Sequence, residues 1–217
     1  MEREKITLVC TTLGKNPELL RKMFISAEGF DDFILHIDQD KWPPTLGHPF
    51  KQIARVISED HLDIPTAYNE LIKNVKTEWV CCFCDDDYFY PEGLFKMIAE
   101  VHNGIDADVA HFKFHVSGHC PKEDYRAWLL GKEYDLWESR PITQKLLQSH
   151  NRLPAGSFFR KSAWEKAGGF QGSKFHDWDL WKRMALMNCK FKYFPHLVYN
   201  MVRRPNSAWH KQMKEIS

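Results

Sequence analysis

Short apolar runs alternate with stretches of helical spacing over the first 116 residues, and this alternation constrains the fold more than any other feature. The apolar runs occupy residues 5–12, Asp32–Asp38, 52–58, Trp79–Cys84 and 107–116. Helical spacing occurs at residues 17–27 and 66–75 and from Pro91 onward, where the predicted apolar face comprises Leu94, Phe95, Ile98 and Val101. Such alternation is typical of βαβ units. It predicts an α/β fold with a Rossmann-like, mostly parallel central sheet flanked by helices.

Polar residues stand where three of the predicted strands end. Thr11 and Thr12 lie at the end of the first strand, Asp38 at the end of the second, and Asp85, Asp86 and Asp87 follow the fourth. Ligands of open α/β sheets bind beyond the carboxyl ends of the strands. We therefore expect these side chains to converge on one binding site.

Length and composition indicate one globular domain. The 217 residues, 43% of them hydrophobic and 27% charged, are enough to build a complete core. The net charge of +1 argues against a generally basic nucleic-acid-binding protein. The first apolar run is too short for a signal peptide, and no apolar stretch reaches 18 residues. These features favour a cytoplasmic protein without a transmembrane segment.

The aspartate triplet is the strongest candidate site. Mg²⁺ and Mn²⁺ prefer carboxylate oxygens, and a metal on a short acidic turn can clamp a diphosphate. The alternative is an Asx-rich turn that only caps the strand. The adjacent Cys81-x-x-Cys84 matches half of a zinc or redox motif. Because residues three apart in a strand point to opposite faces, we predict that these thiols pack in the core.

The segment HDWD, residues 176–179, is a second candidate site. A carboxylate at the start of a helix has a fixed position, and the helix dipole stabilises its ionised form, as a general base requires. Asp177 and Asp179 diverge on the helix surface, so only one of them is expected to reach a pocket. Simple capping of the helix is the alternative interpretation.

Two arginines near the C-terminus form a third candidate. Arg203 and Arg204 precede Pro205 in a predicted loop, and guanidinium groups bind phosphate oxygens through paired hydrogen bonds. A solvated basic loop is the alternative. The sequence contains no GxGxxG, GxxxxGK[ST] or GxSxG motif, which argues against dinucleotide-binding, P-loop and α/β-hydrolase proteins.

These segments, in this order, resemble glycosyltransferase family 2, the inverting, nucleotide-sugar-dependent enzymes of the GT-A fold. The resemblance extends from Ile6 to about Met184 and leaves residues 117–151 unmatched. It rests on ITLVCTTLGKNPELL, FILHIDQD, AYNELIKNVKTEWVCCFCDDDYFYPEGL, PAGSFFRKSAWEKAGGF and HDWDLWKRM.

The resemblance implies roles for the residues at the predicted strand ends. Thr11 and Asp38 correspond to positions that hold the nucleotide. Asp86 corresponds to the main metal ligand, and Asp85 to a second acidic group near the ribose or a metal-bound water. Asp87 is expected to cap the turn.

The resemblance also implies roles in the second half of the chain. Asp177 corresponds to the general base, with His176 in place of the usual glutamate. Gly156 corresponds to a small residue that lines the donor-sugar pocket. Arg203 and Arg204 lie in the segment that folds over the diphosphate.

A three-part organisation of the single domain, residues 1–217, follows from these roles. Residues 1–116 are the nucleotide-binding half, residues 117–151 are an irregular insert or lid, and residues 152–217 are the acceptor half with a basic tail. From Lys182 to Ser217, eight lysines and arginines accompany the single acidic residue Glu215. The tail is predicted to face an anionic partner or to form a solvated surface.

The expected reaction is the transfer of a sugar, with inversion, from a nucleoside-diphosphate sugar to a hydroxyl group. A UDP-sugar is the foremost donor, and Mn²⁺ or Mg²⁺ is the cofactor. The acceptor hydroxyl could belong to a glycan, a lipid-linked glycan, a protein or a nucleic acid. The alternatives are a metal-dependent nucleotidyltransferase and a non-catalytic module that binds nucleotide sugars.

Overall fold

The computed structural model describes the chain from residue 3 to residue 203 with several gaps. The described residues are 3–14, 16–38, 55–59, 62–118, 133–134, 144–149, 151, 153–172 and 175–203. Their strands are β1 Ile6–Thr12, β2 Asp32–Asp38, β3 Arg55–Glu59, β4 Trp79–Cys84, β5 Tyr88–Phe89, β6 Val109–Gly118, β7 Glu133–Tyr134, β8 Phe158–Arg160 and β9 Phe191–Arg203. Their helices are α1 Pro17–Ser26, α2 Ile64–Lys73, α3 Pro91–His102, α4 Gln144–Ser149, α5 Lys161–Lys166 and α6 His176–Leu186.

All of these strands belong to one sheet, in the order β3-β2-β1-β4-β8-β6-β9-β5, with β7 paired to β6. The four strands from β3 to β4 are parallel, as predicted. Beyond β4 the sheet is mixed, because β8 runs antiparallel to both β4 and β6, and β9 is parallel to β6. The strands β4, β6 and β9 therefore share one direction, and their carboxyl ends lie on the same edge as those of β1 and β2.

The sheet separates two apolar clusters, and strand alternation assigns residues to them. In β4, Trp79, Cys81 and Phe83 face the cluster that includes α1 and α3, whereas Val80 and Cys82 face the cluster that includes α2, α5 and α6. The two faces of β4 are thus both buried, which explains its continuous apolar sequence.

The predicted strands and helices of the first half are confirmed, and their limits differ by a few residues. Proline stands at the first position of α1 and α3, Pro17 and Pro91, where its missing N–H costs no hydrogen bond. One core assignment is wrong. Phe95 is 49% exposed, and Met97 is buried on α3 together with Leu94.

The last strand, β9, was not predicted. It pairs with β6 from Phe191 to Arg203, except at Pro195, His196 and Val198, and with β5 near its end. The register shifts after Phe194, where Pro195 and His196 have no partner in the register with β6. A proline that cannot donate a backbone hydrogen bond is accommodated at such an irregularity.

The helix α3 lies unusually close to β9 at its first turn. The Tyr90 N–H donates to the Val198 carbonyl at 2.8 Å. A Cβ atom on Gly93 would lie 1.8 Å from the carbonyl oxygen of Leu197. The absence of a side chain at position 93 is therefore what allows the helix and the strand to make contact.

The strand β5 forms one end of the sheet and has only two residues. The Phe89 N–H donates to Ser26 Oγ of α1 at 3.0 Å. The aromatic ring of Phe89 stacks on that of Phe83, with ring centroids 3.9 Å apart. These contacts attach β5 to the core from the α1 side.

The residues predicted to form the insert contribute to the sheet. The strand β6 extends to Gly118, and β7 pairs with it at Phe114 and His115. The helix α4 packs against α6. The rest of residues 117–151, apart from Asn151, lies outside the described residues, so their interpretation as a lid stays a prediction.

A buried histidine makes the stability of the fold depend on pH. His111 of β6 is 3% exposed, and burial lowers its pKa from 6.5 to about 4. Between these values the unfolded chain binds more protons than the folded chain, so stability falls as the pH falls. We expect His111 to lower the free energy of unfolding by about 2 kcal/mol between pH 7.5 and pH 5. Urea unfolding of the wild type and of His111→Phe at both pH values measures this effect, and an equal pH dependence in the two proteins would contradict it.

Candidate active site

The acidic turn joins β4 to β5 at the carboxyl edge of the sheet. The Asp87 N–H closes the turn on the Cys84 carbonyl, at 3.5 Å. Potential ligand atoms of Cys84, Asp86 and Asp87 lie within 4.8 Å of one another. In the part of the chain that the structure describes, these three residues form the one group of acidic, histidine or cysteine side chains spaced closely enough to bind a metal ion.

Asp85 is bound to the end of β1. Its carboxylate accepts a hydrogen bond from the Thr12 hydroxyl, whose oxygen in turn accepts from the Gly14 N–H at 3.0 Å. Asp85 is not part of the group formed by Cys84, Asp86 and Asp87. The role of Asp85 as a metal ligand therefore stays a prediction, and its observed contact positions the loop after β1.

Asp87 is buried, with 4% of its surface exposed, and it connects the turn to β9. One carboxylate oxygen accepts from the Tyr199 hydroxyl at 2.6 Å, and the other from the Val202 N–H at 2.7 Å. Burial and the charge of Asp87 raise the pKa of Tyr199 well above 10, so its hydroxyl remains a donor. Asp87 thus does more than the turn capping expected from the sequence.

The chemistry of the group suits a hard cation bound by oxygen. Burial raises the pKa of the Cys84 thiol well above 9, and the charges of Asp87 and Asp86 raise it further. A protonated thiol is a poor ligand for Mg²⁺ or Mn²⁺, whereas the two carboxylates are suitable. The fit to a divalent cation therefore depends on Asp86 and Asp87.

Cys81 and Cys84, the two cysteines of the CxxC pattern, point to opposite faces of β4. All the described cysteines are free thiols, as expected. Cys81 is buried, and its sulfur lies 3.3 Å from the Gly156 carbonyl oxygen, on the opposite face of the strand from Cys82. The predicted packing role of Cys81 is confirmed, whereas Cys84 adjoins the acidic group.

Other predicted nucleotide contacts are only partly described. Thr11 lies opposite Cys84 in the sheet, and its hydroxyl is 3.2 Å from His36 Nδ1. Asp38 ends β2, and its side chain lies outside the described part of the structure. Arg203 belongs to β9 rather than to a loop, again without a described side chain, and Arg204 lies outside the described residues.

Gly156 has a visible packing role directly behind the acidic turn. It is buried, and a Cβ atom there would lie 2.9 Å from the Phe83 ring. Glycine therefore leaves room for the aromatic stack that supports the end of β4. A contact of Gly156 with a donor sugar stays a prediction.

Asp177 lies in the first turn of α6, as predicted. Its carboxylate accepts a hydrogen bond from the Asn151 side-chain amide at 2.9 Å. The next residue, Trp178, donates its indole N–H to the Leu147 carbonyl at 2.6 Å. The segment around α4 thus holds the first turn of α6 in place.

Asp179 has a structural role. Arg183 binds its carboxylate at 2.8 Å and donates to the carbonyls of Ala167 and Gly169. This arrangement connects α6 to the loop that follows α5. Of the two aspartates, Asp177 is therefore the candidate base, and Asp179 is its structural neighbour.

Aromatic packing fixes the start of α6 against the sheet. The His176 ring lies 6.2 Å from the Tyr68 ring and 5.5 Å from the Phe170 ring. Burial lowers the pKa of His176 below 6.5, although the charges of Asp177 and Asp63 oppose the shift. The imidazole is thus neutral at physiological pH.

Tyr68 continues this packing to β4. It is buried, and its hydroxyl donates to the Phe83 carbonyl at 2.9 Å.

The residue before α6, Phe175, has a left-handed backbone with φ of 50°. Such a conformation is costly for a bulky residue and is common at functional sites.

Chain direction brings Asp177 to the same edge as the acidic turn. The Lys190 carbonyl accepts from the N–H groups of Asp108 and Val109 at the amino end of β6. Because α6 ends four residues before Lys190 and packs along the sheet, its first turn lies toward the carboxyl edge. The topology therefore places the ends of β1, β4 and β9 and the start of α6 at the same edge of the sheet.

A cavity of about 460 Å³ lies between α1 and β5, away from these strand ends and from the start of α6. The Lys22 ammonium group lies 3.6 Å above the Tyr88 ring at this cavity. None of the acidic residues of the turn lines it. We regard the carboxyl edge as the functional site because the acidic groups and the hydrogen-bonded strand ends are there.

Comparison with known proteins identifies the family. The profile of Glycosyl transferase family 2 matches residues 31–168, which is more than half of the chain. The chain belongs to glycosyl transferase family 2. The match includes the acidic turn, α3 and Gly156, and it ends before α6. No curated protein matched the sequence.

Solved structures show the same GT-A fold at low sequence identity. The structure of S. aureus TarS residues 1–349 with UDP-GlcNAc has a TM-score of 0.68 and 14% identity, over 94% of this chain and 60% of that chain. The complex of the same TarS fragment with UDP has a TM-score of 0.69 and 14% identity, over 93% and 61%. The chain thus spans about 60% of the length of these structures.

None of the described helices of this family 2 member is long and apolar enough to cross a membrane.

Several site residues were not expected from the sequence. They are Tyr68 and Tyr199, together with the backbone of Val202. Thr12, like Thr11, was expected at the strand ends, and its hydrogen bond to Asp85 joins two of them. The aromatic and apolar residues on both sides of Pro195 were the available signal for β9.

Proposed function

We propose that this chain is a metal-dependent inverting glycosyltransferase that moves a sugar from a UDP-sugar to an acceptor hydroxyl. The observation that carries the proposal is the acidic turn at the carboxyl end of β4, with Asp86 and Asp87 spaced for one cation. Family membership supports a glycosyl transfer, and the binding of UDP-GlcNAc and UDP by S. aureus TarS supports the donor class.

In the proposed reaction, Asp177 removes the proton from the acceptor hydroxyl. The acceptor oxygen attacks the anomeric carbon, and the bond from that carbon to the diphosphate oxygen breaks. Asn151 fixes the direction of the Asp177 carboxylate through its amide hydrogen bond. A base that must reach one proton gains rate from being held in one position.

The remaining residues hold the donor. A divalent cation on Asp86 and Asp87 would neutralise the charge that develops on the departing diphosphate. Asp87 also keeps β9, and with it Arg203 at the strand end, next to the turn. In this proposal Arg203 and Arg204 bind the diphosphate, Thr11, Asp38 and Asp85 bind the nucleoside, and Gly156 borders the sugar.

Product analysis tests the reaction class. We expect UDP to be released from a UDP-sugar in the presence of Mn²⁺, slowly with water and faster with a suitable acceptor. Pyrophosphate release from UTP plus a sugar phosphate, without UDP release from any UDP-sugar, would indicate a nucleotidyltransferase. Binding of UDP-sugars with neither activity would indicate a non-catalytic module. Chromatography of the nucleotide products separates these results.

Removal of the central carboxylate tests the metal site. We expect Asp86→Asn to weaken Mn²⁺-dependent UDP binding at least about tenfold, because the amide oxygen lacks the charge that attracts the cation. Calorimetry with and without Mn²⁺ measures the loss. Asp179→Asn is the control, since it also removes one carboxylate charge but does so at a structural ion pair with Arg183 on α6. An equal loss in both variants would contradict the assignment of the cation to Asp86.

A further inference from the structure

A polar cluster formed by β6, β9 and the residue before α3 lies next to the site and has no part in the reaction described above. We define it as Tyr90, His115, Ser117 and Asn200. His115 Nδ1 is 2.9 Å from Asn200 Oδ1 and 3.1 Å from the Tyr90 hydroxyl. The Asn200 amide nitrogen donates to Ser117 Oγ at 2.7 Å. The Tyr90 hydroxyl also donates to Asn200 Oδ1, at 3.3 Å.

These contacts select one tautomer of His115. Because the Asn200 amide nitrogen is directed at Ser117, Oδ1 faces the imidazole and can only accept. Nδ1 must then carry the proton, and the lone pair of the neutral imidazole is on Nε2. No described residue forms a hydrogen bond with Nε2, and the His115 side chain is half-buried.

The buried residue Asn200 holds the more exposed residues of the cluster in place. Asn200 is fully buried, and both atoms of its amide group are used to hold its neighbours. The preceding histidine on the same face, His111, is 3% exposed. The face of β6 thus opens toward the solvent between these two histidines. In metal sites a hydrogen bond to one ring nitrogen orients a histidine so that the other nitrogen can bind, and Asn200 orients His115 in the same way.

The position of the cluster relates it to the candidate active site. His115 is in the carboxyl half of β6, which runs parallel to β4, and Asn200 lies between the two residues of β9 that bind Asp87. In β6, Ala110, Phe112, Phe114 and Val116 belong to the cluster under α1 and α3. His115 therefore faces the other side, where Val109 packs with α6 and where Asp177 begins that helix.

We propose that His115 binds the acceptor, which is a sugar or another polyol, through a hydrogen bond from one of its hydroxyl groups to Nε2. The proposal rests on the proposed transfer to a hydroxyl. The cluster offers an imidazole nitrogen and two hydroxyl groups but no carboxylate or guanidinium group. Uncharged donors and acceptors suit hydroxyl groups better than phosphate or carboxylate groups.

The first test uses a substitution that keeps the cluster and removes the binding atom. In His115→Asn the side-chain amide can replace Nδ1 toward Asn200, but nothing replaces Nε2. With methyl glucoside, methyl N-acetylglucosaminide and glycerol as acceptors, we expect kcat/KM for the best acceptor to fall about tenfold. The rate of UDP-sugar hydrolysis and the affinity for UDP should not change. His111→Asn, four residues earlier on the same face, should leave all three quantities unchanged.

The second test does not depend on activity. Nitrogen-15 NMR of histidine-labelled protein should show His115 with its proton on Nδ1, and the Nε2 signal should shift when methyl glucoside, methyl N-acetylglucosaminide or glycerol is added with UDP and Mg²⁺. A proton on Nε2, or no shift with any of these compounds, would overturn the proposal, as would unchanged acceptor kinetics in His115→Asn. A shift in a protein that releases no UDP would support the acceptor site and refute the proposed reaction.

Discussion

Asp177→Asn is expected to lower the rate of sugar transfer by roughly a thousandfold, because the amide cannot take the acceptor proton. The affinity for UDP and Mn²⁺ should be unchanged, since the metal site is on a different element. The asparagine side chain also has nearly the same shape as aspartate and can still form a hydrogen bond with Asn151. Enzyme kinetics with a UDP-sugar and calorimetry with UDP measure the two quantities separately.

Asp179→Asn is the matched control for this experiment. It removes the same charge two residues later in α6, but its partner is Arg183, which keeps its bonds to Ala167 and Gly169. Since the pair is partly exposed, its loss should cost no more than about 1 kcal/mol of stability. Turnover in Asp179→Asn should stay near the wild-type value. Equal turnover in Asp177→Asn and the wild type would exclude Asp177 as the base.

Gly93→Ala is expected to destabilise the fold by about 3 kcal/mol, at the upper end of the usual cost of overpacking. The added Cβ atom would lie 1.8 Å from the Leu197 oxygen and 2.6 Å from its carbonyl carbon, and backbone atoms cannot rotate away. The preference of alanine for helices, about 1 kcal/mol, is too small to offset this clash. Urea unfolding monitored by tryptophan fluorescence measures the difference.

Gly104→Ala separates the clash from a general effect of losing a glycine. Gly104 follows α3 and has a φ of +83°, and an added methyl group there would meet no atom of the described residues within 4 Å beyond its chain neighbours. Its substitution should cost only the strain of a left-handed alanine, about 1 kcal/mol. If Gly93→Ala were no less stable than Gly104→Ala, the close approach of α3 and β9 would be incorrect.

The parallel half of the sheet was predictable because its signals are local. Each of β1, β2 and β4 is a continuous apolar run, and Pro17 and Pro91 begin helices soon after such a run. The family resemblance added the GT-A fold and is confirmed by the family profile and the TarS structures. The exposure of Phe95 was not predictable, because helical spacing alone allowed it on the buried face.

The strand β9 escaped prediction because its sequence combines opposite signals. Pro195 interrupts an otherwise aromatic and β-branched run, and a proline normally argues against an interior strand. The shift of register around Pro195 and His196 resolves the conflict in the folded protein. That shift depends on pairing with β6, some eighty residues earlier, which no local pattern contains.

The position of the candidate site in the sheet was predictable from the sequence, but the contacts of its residues were not. Three aspartates after a strand predict an acidic turn, yet Asp85 is bound by Thr12 and Asp87 by both Tyr199 and Val202, all distant in sequence. Which aspartate faces a cation and which connects strands is decided by these long-range hydrogen bonds. Sequence spacing therefore identified Asp86 only by analogy with the family.

The two-residue length of β5 has a consequence for the behaviour of the protein in concentrated solution. An edge strand with many open N–H and C=O groups is a template on which a second copy can add its own strand. Here the edge is almost as short as a strand can be, and the Phe89 N–H is already occupied by Ser26. This end of the sheet is thus protected against edge-to-edge aggregation, at the same place where the chain leaves its acidic turn.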